Sequence, residues 1–237
     1  MNISNQIHQS WEENAATWIK TIRQEQIKSR KITNRAVVRA ITNHLSGPIL
    51  DLGCGEGWLC RELTQHGIET LGLDANQSLI NAAREFSGSS NFENITYQEL
   101  IDGVAKIHPS DQLKTLKEKG FRGAVFNFSL YEKEGIDQLL RAVTTYLCRP
   151  HKLVIQTIHP SHLRNKGLSY QSQWIKNSWE GLDSAFKNGH PWFLRTLEDW
   201  ILIFYSCQLN LEMIYEPLSG DSKEPVSIIF ILNGLKK

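Results

Sequence analysis

The residues whose types and spacing could do chemistry are concentrated in Ile49-Leu-Asp-Leu-Gly-Cys-Gly-Glu-Gly-Trp-Leu59. An apolar run carries Asp51 near its end and is followed by Gly53, Gly55 and Gly57 at alternate positions. A buried strand, a glycine turn and a helix start let backbone approach a nucleotide-like ligand with no Cβ in the way. In a dinucleotide fingerprint the third small residue packs helix against strand five positions after the first. Here that position is Trp58, which cannot pack that way. A diphosphate also prefers free amides to the carboxylates of Asp51 and Glu56. The motif therefore suits a cationic, phosphate-free nucleoside.

A second acid supports the same ligand. Ile68-Glu-Thr-Leu-Gly-Leu-Asp74 reads as a short strand ending in a carboxylate about 20 residues beyond the turn, where a ribose diol is gripped.

On these residues the chain resembles the class I S-adenosylmethionine-dependent methyltransferases. The resemblance runs from Asp51–Gly57 through Leu73-Asp74, Tyr97-Gln-Glu-Leu100, Val125-Phe-Asn-Phe-Ser-Leu130 and Ile155-Gln-Thr-Ile-His-Pro160 to the last two strands, about residues 8–233. It implies an α/β, Rossmann-like three-layer sandwich. Its sheet is seven-stranded and mostly parallel, with one antiparallel edge strand. It also implies S-adenosylmethionine as cofactor, S-adenosylhomocysteine as product and no metal. Asp51, Gly53, Cys54, Gly55 and Gly57 would hold the amino-acid end, and Asp74 with Ala75 the ribose. Glu99 and Leu100 would line the adenine, with Asn127 and Phe128 beside the methyl group.

The elements needed to position these residues follow in order. Trp11 to Leu45 predicts two or three helices, the last starting at Thr33 or Asn34 and stopped by Gly47-Pro48. Strands are expected at 49–52, 68–73, 94–98, 123–128 and 152–157, with helices at 57–66, 77–86, 110–118 and 134–147. Such alternation means a parallel sheet covered on both faces. A helix at 196–206 and two strands, 209–216 and 226–232, joined without a helix predict a closing hairpin. Asp51, Asp74, Glu99, Asn127 and His159 then all fall at carboxyl ends of strands, facing one crevice. Where the family has an acid before the fourth strand, this chain has Arg122, a change that bears on strand packing.

Residues 160–194 exceed an ordinary connection and carry Tyr170, Trp174, Trp179, Phe186, Trp192 and Phe193. They read as a lid over an aromatic or apolar acceptor, or as the staple of a small helical subdomain. Trp11, Asn14 and Trp18 on one helical face are expected to close the cofactor side, to form a core stripe, or both. Arg195 and Thr196 resemble a polar pair near the acceptor mouth of small-metabolite methyltransferases. His159-Pro160 offers a possible base, or a rim histidine; His190 is a second candidate.

Size and composition frame these readings. The 237 residues predict one domain, with 1–46 as a helical cap and 160–194 as a substrate lid. A net charge of +1, with 41% apolar and 22% charged residues, is ordinary globular composition. No apolar run approaches the roughly 18 residues that span a bilayer, so no membrane partner is expected. The polar start of the chain predicts a cytoplasmic protein, with Cys54, Cys60, Cys148 and Cys207 reduced. Seven basic residues between Lys20 and Arg39 are a solvated face or a dock for an anionic partner. The chain lacks the overall basic charge of a nucleic-acid binder. The expectation is methyl transfer to a small molecule, at oxygen. A macromolecular acceptor, a non-catalytic binding module and a dehydrogenase are the alternatives, with oligomeric state left open.

Overall fold

A computed structural model describes residues 2–87, 91–105, 110–182 and 184–234. Two helices open the chain: α1 (Ile3–Arg23), capped by the Asn2 side chain, and α2 (Arg30–His44). Then β1 (Ile49–Leu52), α3 (Trp58–Gln65), β2 (Thr70–Asp74), α4 (Gln77–Phe86) and β3 (Asn91–Asn94) alternate. After them come α5 (Tyr97–Ala105), α6 (Asp111–Glu118), β4 (Gly123–Asn127), α7 (Ile136–Thr145) and β5 (Lys152–Thr157). The insertion holds the short helix α8 (His162–Asn165) and strands β6 (Gln173–Ile175) and β7 (Trp192–Leu194). The chain closes with α9 (Leu197–Ser206), β8 (Leu209–Tyr215) and β9 (Ile228–Gly234).

Seven strands form one sheet in the order β3-β2-β1-β4-β5-β9-β8. The five from β3 to β5 are parallel, and β9 is reversed against both β5 and β8. The reversed strand thus sits at this end of the sheet, with β8 outside it. Both faces are covered. Val37 and Ile41 of α2 with Leu59 and Leu63 of α3 pack on one side, against Ile49, Val125, Val154 and Ile231. Leu100, Leu113, Leu139, Val143, Trp200 and Phe204 from α5, α6, α7 and α9 pack on the other. This two-sided burial explains why the strands read as continuous apolar runs. Arg122 does not disturb the sheet: its amide donates to Pro48 O, and β4 pairs along its whole length with β5 and from Gly123 to Phe126 with β1.

Three expectations need correction. The last N-terminal helix, expected to start at Thr33 or Asn34, starts at Arg30 after Ser29. The strand expected at 94–98 is β3, Asn91–Asn94, and residues 97–105 are helical. The helix is started by a reciprocal cap: Thr96 Oγ1 accepts from Glu99 N at 3.1 Å, and Glu99 Oε2 accepts from Thr96 N at 2.8 Å. The insertion contains a two-stranded antiparallel sheet, β6 with β7, that no hairpin turn signal announces. Among the described residues no helix is long and apolar enough to cross a membrane. All four cysteines are free thiols.

Candidate cofactor and acceptor site

The glycine turn is tied to the tip of the neighbouring strand through its own backbone amides. Gly53 N and Cys54 N donate to Leu73 O at 2.8 and 3.0 Å, and Gly55 N donates to Asp74 Oδ2 at 2.8 Å. Asp74 Oδ1 accepts from Asn76 N at 2.8 Å, and Asn94 Nδ2 holds the carbonyls of Asp74 and Ala75 at 2.9 Å. Positive φ at Gly53, Gly55 and Gly57 makes this path natural for glycine. Phe92 lies under the turn, close enough that a Cβ on Gly57 would meet its ring at 2.6 Å. Cys54 points down into the same small cluster, with Cys60, Ile80 and Ala83.

Three carboxylates, Asp51, Asp74 and Glu56, and two guanidinium groups, Arg30 and Arg61, converge here. Asp51 is 1% exposed. Burial chiefly, then the Asp74 and Glu56 charges, push its carboxyl up to about 7 against the lowering hydrogen bond from Cys60. Burial also raises Asp74, opposed by the amides of Asn76 and Gly55. Glu56 is ion-paired with Arg61, yet its Oε1 is buried with no partner among the described residues. Arg30 lies with its guanidinium carbon 4.7 Å from the Trp58 ring centroid and 5.9 Å from that of Trp18. Burial brings it down to about 10, and its Nη2 is buried with no partner among the described residues. Sequence counted Arg30 only as one of a basic run; no local pattern distinguishes it. Arg23 stays exposed, its guanidinium carbon 3.6 Å from the Phe86 ring centroid.

The tip of β4 closes over β1. Ser129 Oγ and Tyr97 Oη donate to Leu52 O at 2.7 and 3.0 Å. Phe128 takes φ 53°, a conformation a bulky side chain avoids unless its surroundings impose it. Its amide donates to Gln156 O at 2.8 Å. Asn127 Oδ1 is buried and unpartnered among the described residues.

Aromatic rings roof this turn. Trp18 Nε1 is the nearest side-chain atom, 3.7 Å, to a Cβ placed on Gly55. Trp11 packs edge-on against Trp18 at 5.2 Å and Trp179 at 4.9 Å, with Tyr131 at 6.1 Å. Phe186 stacks on Trp179 at 4.8 Å. The segment 176–191 is fastened to α1 by polar bonds. Asn14 Nδ2 donates to Lys187 O at 2.8 Å, Asn14 Oδ1 accepts from Lys187 N at 2.9 Å, and Trp179 Nε1 donates to Ser10 Oγ at 3.0 Å. Asn14→Ala should loosen this segment by about 2 kcal/mol, since Lys187 loses both backbone partners. The check is hydrogen exchange at the Lys187 amide, expected to speed roughly 30-fold while core amides stay unchanged; unchanged Lys187 exchange would refute the fastening.

The remaining residues singled out by sequence fall elsewhere. Glu99 caps α5 instead of standing at a strand tip, and Leu100 is in the core. Tyr170 is 53% exposed. Trp174 packs on Phe193 across the β6–β7 pair, and Trp192 on His162, so these three lie outside the ring cluster over the turn. Arg195 is buried between the Phe193 and Trp200 rings, and its Nη2 donates to the carbonyls of Glu132 and Lys133 at 2.6 and 2.7 Å. It pins the loop after β4. Thr196 caps α9. His159 has both ring nitrogens engaged, Nε2 with Glu216 Oε1 at 2.8 Å and Nδ1 with Ser161 at 2.7 Å.

Comparison with known proteins agrees with this geometry. A family profile described as a methyltransferase domain matches residues 20–210. An uncharacterised methyltransferase of Schizosaccharomyces pombe is 24% identical over 180 residues, 75% of this chain; the match spans 65% of that relative, just under two thirds of its length. An S-adenosylmethionine-dependent methyltransferase from Mesorhizobium loti superposes with TM-score 0.60 at 20% identity, covering 85% of this chain and 97% of the other. The Burkholderia thailandensis 1,6-didemethyltoxoflavin-N1-methyltransferase, with its substrate and S-adenosylhomocysteine bound, gives 0.61 at 10% identity, covering 97% and 91%. The chain belongs to the methyltransferase-domain family, and it shares the fold of solved S-adenosylmethionine-dependent methyltransferases.

Proposed function

We propose that the protein transfers the methyl group of S-adenosylmethionine to oxygen on a small, planar acceptor, working in the cytoplasm with its thiols reduced. The observation that most supports this is the set of buried polar groups beside the glycine turn. Asp51 and Asp74 suit the cationic, hydroxyl-rich donor, and the orphaned Nη2 of Arg30 and Oε1 of Glu56 suit the carboxylate and ammonium of its amino-acid end. When bound, the donor supplies an electrophilic methyl group on a positively charged sulfur.

The chain's own work is holding and drying. Gly53, Cys54, Gly55 and Gly57 give a close backbone cradle. Each Asp74 oxygen holds one amide and has a lone pair left for a ribose hydroxyl. The base would extend from the ribose toward the next strand tip, at the Ile95–Tyr97 turn, with Glu99 kept in its cap and Leu100 behind it. Asn127 and Phe128 would flank the reacting methyl, and Trp11, Trp18 and the 176–191 segment would exclude water. Tyr170, Trp174, Trp192 and Arg195 would shape the lid from outside. Of the seven basic residues between Lys20 and Arg39, Arg30 is drawn in beside Trp18 and Trp58 while the other six are exposed as a solvated face, and the near-neutral charge of the chain disfavours a nucleic-acid acceptor. The Burkholderia thailandensis neighbour is by its name an N1-methyltransferase, so nitrogen as the methyl-accepting atom is the second reading.

The test is calorimetric titration with S-adenosylmethionine, S-adenosylhomocysteine and a nicotinamide dinucleotide. Binding of the first two and not the third is expected, and Asp74→Ala should weaken it about 100-fold through lost charge-assisted hydrogen bonds. Failure of both adenosyl ligands to bind a folded sample would remove the reading; wild-type affinity in Asp74→Ala would remove the ribose role.

A further inference from the structure

His190 is 1% exposed. Its ring centroid lies 4.9 Å from that of Tyr131, 5.5 Å from Trp179 and 6.2 Å from Trp11. Its Nδ1 is 2.9 Å from the carbonyl oxygen of Pro191. A carbonyl only accepts, so Nδ1 carries the hydrogen and donates. That leaves the lone pair of the neutral ring on Nε2. Nε2 is buried and has no partner among the described residues. Burying an acceptor without a donor is unfavourable, and such an atom in a native structure calls for an explanation.

Its surroundings point to a ligand that brings the donor. Trp11 joins this group to Trp18 over Gly55, and Tyr131 belongs to the loop that leaves the tip of β4. The orphaned lone pair therefore stands in the ring cluster that roofs the cofactor turn. His159, by contrast, has both nitrogens occupied.

We propose that His190 Nε2 is the proton acceptor of the reaction, taking the proton of a phenol-type hydroxyl on an aromatic acceptor seated among Trp11, Tyr131 and Trp179. The proposal rests on the methyl-transfer reading above. The oxygen–methyl bond forms as the methyl–sulfur bond breaks, and that bond's electron pair stays on sulfur as a neutral thioether. The hydroxyl proton passes to Nε2, and the imidazolium returns it to water when the 176–191 segment lifts. The acceptor enters by the same movement, exchanging the edge-on ring contacts for its own.

The ionisation of the ring agrees. Burial holds His190 below the usual imidazole value, against the raising contact with Pro191 O, so the lone pair is available at neutral pH. Among the rings packed on it from α1, the β4 loop and the lid, only Tyr131 titrates, and burial pushes its phenol up. The nearby charge on α1, Glu13, is tied outward to Asn188.

The test uses the full chain with ¹⁵N-labelled histidine, saturated with S-adenosylhomocysteine and then given phenol, catechol or 4-hydroxybenzoate. Long-range proton–nitrogen NMR should show His190 as the Nδ1–H tautomer, its signal identified by its loss in His190→Gln. At least one of the three hydroxyl probes should shift Nε2, and anisole, which lacks the hydroxyl, should not. An Nε2–H tautomer, or no shift with any of the three, overturns the proposal. For whichever probe is methylated, His190→Gln should lower kcat about 100-fold and abolish the acidic limb of the pH profile. Affinity for S-adenosylhomocysteine should stay at the wild-type value, which also shows that the variant is folded. A wild-type kcat overturns the proposal while the methyl-transfer reading stands. Failure of S-adenosylhomocysteine to bind the wild type overturns both.

Discussion

A single methyl group placed on Gly53 should destabilise the protein by about 3 kcal/mol and abolish adenosyl-ligand binding. Part of that loss is conformational, since φ at Gly53 is +76° and an L side chain there is strained by about 1 kcal/mol. The rest is steric. A Cβ would land on the Ser129 Cβ and come within 2.9 Å of Tyr97 Oη. Neither neighbour can step back freely, because both hydroxyls donate to Leu52 O at the end of β1. Gly67→Ala is the control, with φ +73° and nothing within 4 Å of the new methyl; only the conformational share should appear. Urea unfolding of the two variants decides the matter. Equal destabilisation would mean that close approach at the turn plays no part.

Asp51→Asn should move stability and binding in opposite directions. The folded protein holds this carboxyl at about 7, against an ordinary value of 3.8, chiefly because burial disfavours the anion. The folded state therefore retains the proton over a range where the unfolded chain has lost it. Stability from this group is complete below pH 3.8 and falls as pH rises through about 7. Asparagine cannot ionise, so the variant should be more stable than wild type by about 2 kcal/mol at pH 8. The gap should shrink toward nothing near pH 4. Thermal unfolding at the two pH values checks it, and a constant gap would contradict the buried-carboxyl argument. Binding should weaken about 100-fold for want of the carboxylate opposite the cationic donor. Wild-type affinity should also rise with pH across about 7, a step absent from the variant.

Much of the cofactor side is legible in the chain because it is local. Asp51, the three glycines and Asp74 lie within 24 consecutive residues. Parallel pairing of β1 with β2 brings the two strand tips together directly, as Leu52 opposite Leu73. Thr96-Tyr-Gln-Glu99 shows how a local signal is misread. Its reciprocal cap is written in the Thr-x-x-Glu spacing, yet the run from Asn94 to Gln98 has strand-like content, and helix α5 prevails through its cap and the burial of Leu100.

The acceptor side behaves differently. Tyr170, Trp174 and Trp192 look equivalent to Trp179 and Phe186 in the sequence, but β6 and β7 draw the first group aside. The second group meets α1 through Asn14 and Lys187, 173 residues apart. Arg30 looks like any other member of a basic run until Trp18 and Trp58 enclose it. His159 and His190 both precede proline, and nothing adjacent tells them apart. Glu216 and Ser161 occupy the ring nitrogens of the first, whereas among the described residues the ring of the second hydrogen-bonds to Pro191 O alone.

The order of strands and helices, the glycine cradle and the acids at its rim were thus determined by the sequence itself, since periodicity, turn chemistry and short spacing act between near neighbours. Which rings roof the turn, which cation is buried beside it and which histidine keeps a free lone pair were decided by the tertiary structure. Those properties arise from desolvation and from hydrogen bonds between residues that only packing brings together.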